Sequence, residues 1–347
     1  MKTKRLLAVL GAAVIAVATL GTPATAAVPD RLGYVTWSGA AVVASGTTPA
    51  ATTVVPLGVG RYRVTFPGQG VINGIVHVTA ISGTPHFCQP EAWGVSGVDE
   101  VVIVRCSKPG GALDNSGFTA LFTRSSGPGA SGPYGYVDAN AAGALISQYN
   151  SAGAVNTVTP LAVGQWLVRF PGLATPGPID GSLQATAVNS AAAARCKVVK
   201  WASGAGGQEA TIWCLNAVGG FLNTRFTVSY QHRTTLFGRA YGPNNFGYFW
   251  HRPPVGPPPT NFNSILGPGA NTLTPAGVGL SLVKFPRIGL LPDHILVTAA
   301  GPNTHFCGLN TVWGHAGPDI LVRDVNCFTA VGAPVDTGFL VSANSIV

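Results

Sequence analysis

Charge is scarce in this chain: Asp, Glu, Lys and Arg together supply 9% of its 347 residues, and there is a single methionine. Disorder needs low hydrophobicity and high net charge, and a chain that is 46% apolar does not meet that condition. The twelve acids stand in ones and twos, with no sign of the two facing carboxylates that glycoside cleavage requires. There is no Gly-x-Ser-x-Gly elbow and no His-Glu-x-x-His, so the usual serine-nucleophile and zinc-hydrolase signatures are missing. The letters of a dinucleotide loop occur in Gly127-Pro128-Gly129-Ala130-Ser131-Gly132. No helix follows them, so the segment reads as a linker and not as a cofactor site. No cofactor is expected. Beyond Leu6 to Leu20 no run is apolar and long enough to cross a bilayer, and no 3.6-residue period is sustained.

The first residues set the expected compartment. Met1-Lys2-Thr3-Lys4-Arg5 is short and positive, Leu6 to Leu20 is apolar, and Ala24-Thr25-Ala26 offers a small-residue cleavage site. That order of parts predicts a signal peptide over 1–26, with secretion to the extracellular space and no membrane span after cleavage. The net charge is +8, and removing the leader lowers the excess. Arg and Lys are scattered singly along the chain, which predicts a soluble surface with a mild positive bias. Nucleic acid is not an expected partner.

Gly and Pro are plentiful, at 46 and 27 residues, which suits short strands joined by frequent turns. Their positions repeat. A Gly-aromatic pair recurs at Gly33-Tyr34, Gly135-Tyr136 and Gly247-Tyr248. A Pro then stands four residues before a Gly at Pro56/Gly60, Pro160/Gly164 and Pro275/Gly279, and Phe-Pro follows at Phe66-Pro67, Phe170-Pro171 and Phe285-Pro286. Thr-Ala recurs at Thr79-Ala80, Thr186-Ala187 and Thr298-Ala299. Cys88, Cys196 and Cys307 precede Trp93, Trp201 and Trp313; Cys106, Cys214 and Cys327 come next. Each copy closes on a Gly (Gly111, Gly219, Gly332), an Asn or Asp (Asn115, Asn223, Asp336) and a Phe (Phe118, Phe226, Phe339).

The expected fold class is therefore all-β: three tandem β-sandwich, jelly-roll-like domains over 27–126, 127–238 and 239–347, with one intradomain disulfide each. Arg61 to Phe66 alternates polar and apolar, the period of a half-buried strand with Tyr62, Val64 and Phe66 inward. Pro after each Phe should end that strand, because it cannot donate to a ladder. The repeat selects Cys88–Cys106, Cys196–Cys214 and Cys307–Cys327 from the fifteen pairings that six cysteines allow. Closing loops of that size would stabilise each domain by roughly 3 kcal/mol on the chain-entropy model. No zinc spacing competes, and no metal site is expected. Each Trp after a first cysteine is expected to pack over its disulfide. Asp99, Glu100 and Asp319 are expected on solvated turns.

The run Gly-x-Tyr/Trp-x-Val-x-Phe-Pro, Thr-Ala, Cys, Trp, Cys, Gly and Asn/Asp-x-x-Phe resembles tandem Cys-pair β-repeat modules of uncharacterised secreted proteins from GC-rich Gram-positive bacteria. That resemblance implies secretion and a β fold, and brings no activity with it. A thinner likeness, through the Gly-x-Tyr-x-Val-x-Phe strand and the closing Asp-x-x-Phe strand, is to C1q-like jelly rolls, which often trimerise.

No acid, base or nucleophile is kept across the three copies, so the expected function is that of a non-catalytic extracellular binding or structural protein, not an enzyme. Its expected partner is a cell-surface polymer, a carbohydrate or an extracellular protein, held multivalently. The alternatives are a secreted hydrolase with its site in one diverged repeat, and a secreted inhibitor or effector. Any binding surface should lie where the copies differ. The first candidate is Tyr248, Phe249, Trp250, His251 and Arg252, which lead into a Pro-rich loop or spacer at 252–260, because aromatic and Arg side chains are favoured at binding hot spots.

Overall fold

The computed structural model describes residues 30–46, 51–127, 132–177, 179–238, 245–253 and 260–346. The expected leader, most of the 127–132 linker and the prolines at 254–259 lie outside the described residues. Every strand expected from the 2-residue period is present. Arg61–Phe66, Gln165–Phe170 and Leu280–Phe285 each end at the Phe before Pro.

Among the described residues, strands form two nine-stranded and two four-stranded sheets. In the first repeat, Val42–Gly46, Arg31–Trp37, Gly117–Arg124 and Ile75–Ile81 lie side by side in that order. Facing them are Thr53–Gly58, Arg61–Phe66, Asp99–Ser107 and Phe87–Ser96. The same two orders recur in the other repeats, giving three sandwiches. Each encloses a core of its own, such as Tyr62, Val64, Phe66, Val104 and Phe118 in the first.

The residues common to the copies have identifiable tasks. A Cβ on Gly33, Gly135 or Gly247 would lie 2.5, 2.8 or 2.9 Å from the ring of Phe66, Phe170 or Phe285, so each glycine admits the Phe that closes the next strand pair. Gly60, Gly164 and Gly279 have φ of 64°, 66° and 71°, a region that L side chains rarely adopt. Their amides donate to Asn115 Oδ1, Asn223 Oδ1 and Asp336 Oδ1 at 2.8, 2.6 and 2.7 Å. Their carbonyls accept from the amides of Cys106, Cys214 and Cys327. The hairpin, the second cysteine and the Asn/Asp are thus one hydrogen-bonded unit. The three disulfides form as expected, within adjacent strands, with Cα atoms 4.1 Å apart in each.

The sandwiches close into a ring. The amide three residues past each constant Thr donates to the carbonyl two residues past a first cysteine of another repeat. Asn189 donates to Pro90 at 3.1 Å, Gly301 to Val198 at 3.0 Å and Ser82 to Leu309 at 2.8 Å. The same bond thus joins the second repeat to the first, the third to the second and the first to the third. Two of these junctions also register as parallel pairing, Val198↔Ala300 and Leu309↔Ile81. Ile75–Ile81, Ser182–Val188 and Asp293–Ala300 are consequently buried along their whole length. One face meets its own core and the other meets the neighbouring repeats, so these strands carry no exposed polar face.

The buried seams are polar. Thr79 Oγ1 donates to the Val297 carbonyl at 3.1 Å and accepts from its amide at 3.0 Å. Thr298 Oγ1 donates to Gln184 Oε1 at 2.7 Å and accepts from the Ala185 amide at 3.2 Å. Thr186 Oγ1 lies 2.9 Å from His77 Nδ1. The third set of constant glycines also works at the seams. With φ of 91°, 92° and 92°, Gly111 faces Ala217, Gly219 faces Ala330 and Gly332 faces Pro85, each on the next repeat, and a Cβ there would approach within 2.8–3.1 Å.

Candidate functional site

The five residues picked from the sequence occupy the strand Phe246–His251 and the position after it. Tyr248 and Phe249 are buried, Phe249 within the third core. His251 rests against the Phe339 ring at 5.1 Å. Only Trp250 and Arg252 of the five line a cavity. The Tyr248 hydroxyl accepts from the Arg233 amide at 3.3 Å, and burial pushes its pKa up.

That cavity, of about 350 Å³, lies on the seam between the second and third repeats. Trp201 and Trp250 form its aromatic wall, with ring centroids 4.2 Å apart. Arg252 lies over Trp250 at 5.8 Å. Lys200, Asn303 and Asp336 also line it. The Trp250 indole N–H is buried and has no hydrogen-bond partner among the described residues. A second cavity of about 480 Å³ shares Ile179 with the first. Its walls include Asp180, Arg233, Asn261 and Phe262, with Arg233 lying 5.6 Å from the Phe262 centroid. Asp180 pairs with His232 at 2.8 Å. Although burial opposes it, the bonds from His232 and the Gly181 amide hold its pKa below the usual carboxylate value. The first cavity is a groove walled by the two tryptophans and edged by Lys200, Asn303 and Arg252.

Trp93 and Trp201 do not stand opposite their own disulfides. Trp93 pairs with Val102, four positions along the ladder from Cys106, or about 13 Å at roughly 3.3 Å per residue. It lies instead under the guanidinium of Arg225, at 4.1 Å, from the second repeat. Arg225 is in turn bidentate to Asp138 at 2.8 and 2.7 Å. Trp201 meets Trp250 of the third repeat, and Trp313 Nε1 donates to Asp293 Oδ1 at 2.8 Å. Trp93 and Trp201 stand on their strands beyond the cysteine, where each ring meets a neighbouring repeat.

Of the three acids, Asp99 and Asp319 stand at partly exposed turns as expected, and Glu100 does not. Asp99 and Asp319 accept from the amides of Gly68 and Arg287 at 2.8 and 2.9 Å, tying down the turn after Phe-Pro. Glu100 is fully buried, not solvated. One oxygen accepts from the Val71 amide at 3.3 Å and the other has no partner among the described residues. Burial raises its pKa to about 7. Among the described residues no group of three or more His, Cys, Asp or Glu could hold a metal ion, and no helix is long and apolar enough to cross a membrane.

Buried cations were missed. Arg195 and Lys197 read as isolated charges on a strand, yet both are buried where the three repeats meet. The signal was present in the repeat itself: Arg195 occupies the position of Phe87 and Phe306, beside a cysteine. Comparison with known proteins finds no family model, no curated protein and no solved structure that matches this chain.

Proposed function

We propose that this is a secreted, non-catalytic binding protein for an extracellular polymer, with the groove between the second and third repeats as its site. The observation that carries this reading is the groove itself. It combines the tilted pair Trp201 and Trp250, a buried indole N–H with no partner among the described residues, and the exposed Arg252; Trp250 and Arg252 stand at positions where the copies differ. Most residues common to the copies are occupied with folding and with the seams; of the groove's lining, Trp201 and Asp336 are common positions, whereas Lys200, Trp250 and Arg252 are diverged and available for recognition. Three disulfides suit an oxidising compartment and agree with a leader that directs secretion. A ring of three sandwiches in one chain is also what the C1q-like likeness would imply for a trimer.

The mature chain, Ala27 onward, should be retained on insoluble cell-wall polysaccharide, chitin or cellulose, and Arg252→Ala should weaken that retention several-fold. Retention that ignores Arg252→Ala and Lys200→Ala alike would remove the groove from the reading. No retention on any polymer would remove polymer binding.

A further inference from the structure

Where the three repeats meet, residues from all of them line a cavity of about 50 Å³. At roughly 10–15 Å³ per water-sized occupant, it holds a small ion with a water or two. The constant threonines Thr79, Thr186 and Thr298 and the first cysteines line it, and no acid does.

Two cations do. Arg195 is 8% exposed and lies between two aromatic rings, 5.1 Å from the Phe87 centroid and 4.8 Å from that of Phe306. Its terminal nitrogens donate to the carbonyls of Ala217 and Thr304 at 3.3 and 3.5 Å, and its Nε has no partner among the described residues. Lys197 is 3% exposed and donates to Asn303 Oδ1 and the His305 carbonyl at 2.5 and 3.3 Å, which uses two of its three protons. His305 Nδ1, also at the cavity, is buried and has no partner among the described residues.

Buried charge without a counter-charge is costly. Burial lowers Arg195 to about 10. Burial, with repulsion from Arg195, lowers Lys197 to about 7. His305 is lowered too, by burial and by Lys197. The neighbouring copies show that the fold does not need these charges. The position of Lys197 is held by Gln89 in the first repeat, where the amide bridges the same kind of seam to the carbonyls of Asn189 and Ala192 at 2.7 and 3.0 Å.

We propose that the cavity is an anion site, in which Arg195, Lys197 and His305 hold one inorganic anion of halide or nitrate size and thereby fasten the three repeats together. The donors converge on one cavity, the charge lining it is of one sign, and a volume of about 50 Å³ suits a small ion and its water. The site is separate from the groove and stands whether or not the groove binds a polymer.

The test is the melting temperature of the mature protein in sodium bromide or nitrate against sodium gluconate at equal ionic strength, gluconate being too large to enter. Bromide and nitrate should raise Tm by about 2 °C or more by binding the folded state alone. Lys197→Gln, which copies Gln89, should fold and lose most of that rise. Crystals soaked in bromide should show an anomalous peak in the cavity beside Arg195. Equal melting in all three salts, an undiminished rise in Lys197→Gln, or bromide-soaked crystals with water alone in the cavity would each overturn the proposal.

Discussion

His77 Nε2 of the first repeat meets Ser229 Oγ of the second at 2.9 Å, inside a seam that water does not reach. The other ring nitrogen is engaged by Thr186. His294 of the third repeat meets Thr119 of the first at 2.6 Å in the same manner. Burial lowers both histidines to about 3. Each is therefore neutral in the folded chain and takes up a proton on unfolding at any pH between about 3 and its ordinary value of 6.5.

Stability should accordingly fall as pH drops through that window. Each histidine contributes a slope of about 1.4 kcal/mol per pH unit. Urea unfolding of the mature protein from pH 7 to 4 should show the loss, and replacing His77 with Gln, which stands at the same position as Gln184, should reduce the slope by about one proton. A slope that does not change in the variant would contradict the assignment.

Glu100 acts in the opposite sense. Its carboxyl stays neutral in the fold up to about 7, whereas in the unfolded chain it ionises near its ordinary value of 4.5. Stability from this group is present below that value and is lost as pH rises to about 7. Glu100→Gln should leave stability near pH 4.5 almost unchanged and raise it at pH 8 by about 1–3 kcal/mol. Equilibrium denaturation at the two pH values distinguishes this from a general packing effect, which would appear at both. Gln208 occupies the matching place in the second repeat, so the amide is compatible with the site.

Gly219 tests the ring. With φ of 92° and Ala330 of the next repeat 2.8 Å from where its Cβ would stand, Gly219→Ala combines backbone strain with a clash across the seam. Gly97 has φ of 65° and open space around it, so Gly97→Ala carries the strain alone. The first should destabilise by about 2–4 kcal/mol and the second by about 1 kcal/mol, measured by chemical denaturation. Equal losses would show that the seam contributes nothing at Gly219.

The disulfides should differ in their reactivity towards reductant. Cys88–Cys106 and Cys196–Cys214 are buried at both ends, whereas Cys307 is only partly buried. Reagent reaches sulfur in proportion to access. Mild reduction of the native protein followed by alkylation and peptide mass analysis should label Cys307 and Cys327 first.

Much of the fold was legible from local rules. Strict alternation placed Tyr62, Val64 and Phe66 inward, Phe-Pro marked strand ends, and the threefold offsets selected the cysteine pairs. The candidate site was legible in part. Trp250 and Arg252 reach the groove, while Tyr248 and Phe249 are spent on the core. A run of aromatics cannot reveal from its order alone which rings the partner strand will cover.

The sequence by itself determined the strands, the sandwiches and the disulfides, because each depends on a period of two or on residues repeated at fixed spacing. The tertiary structure alone decided the ring. A two-residue period says that a strand has two faces but not what covers the second one. Thr79, Thr186 and Thr298 read as ordinary strand residues until the repeats meet over them, and Arg195 and Lys197 as surface charges until the same meeting removes them from water.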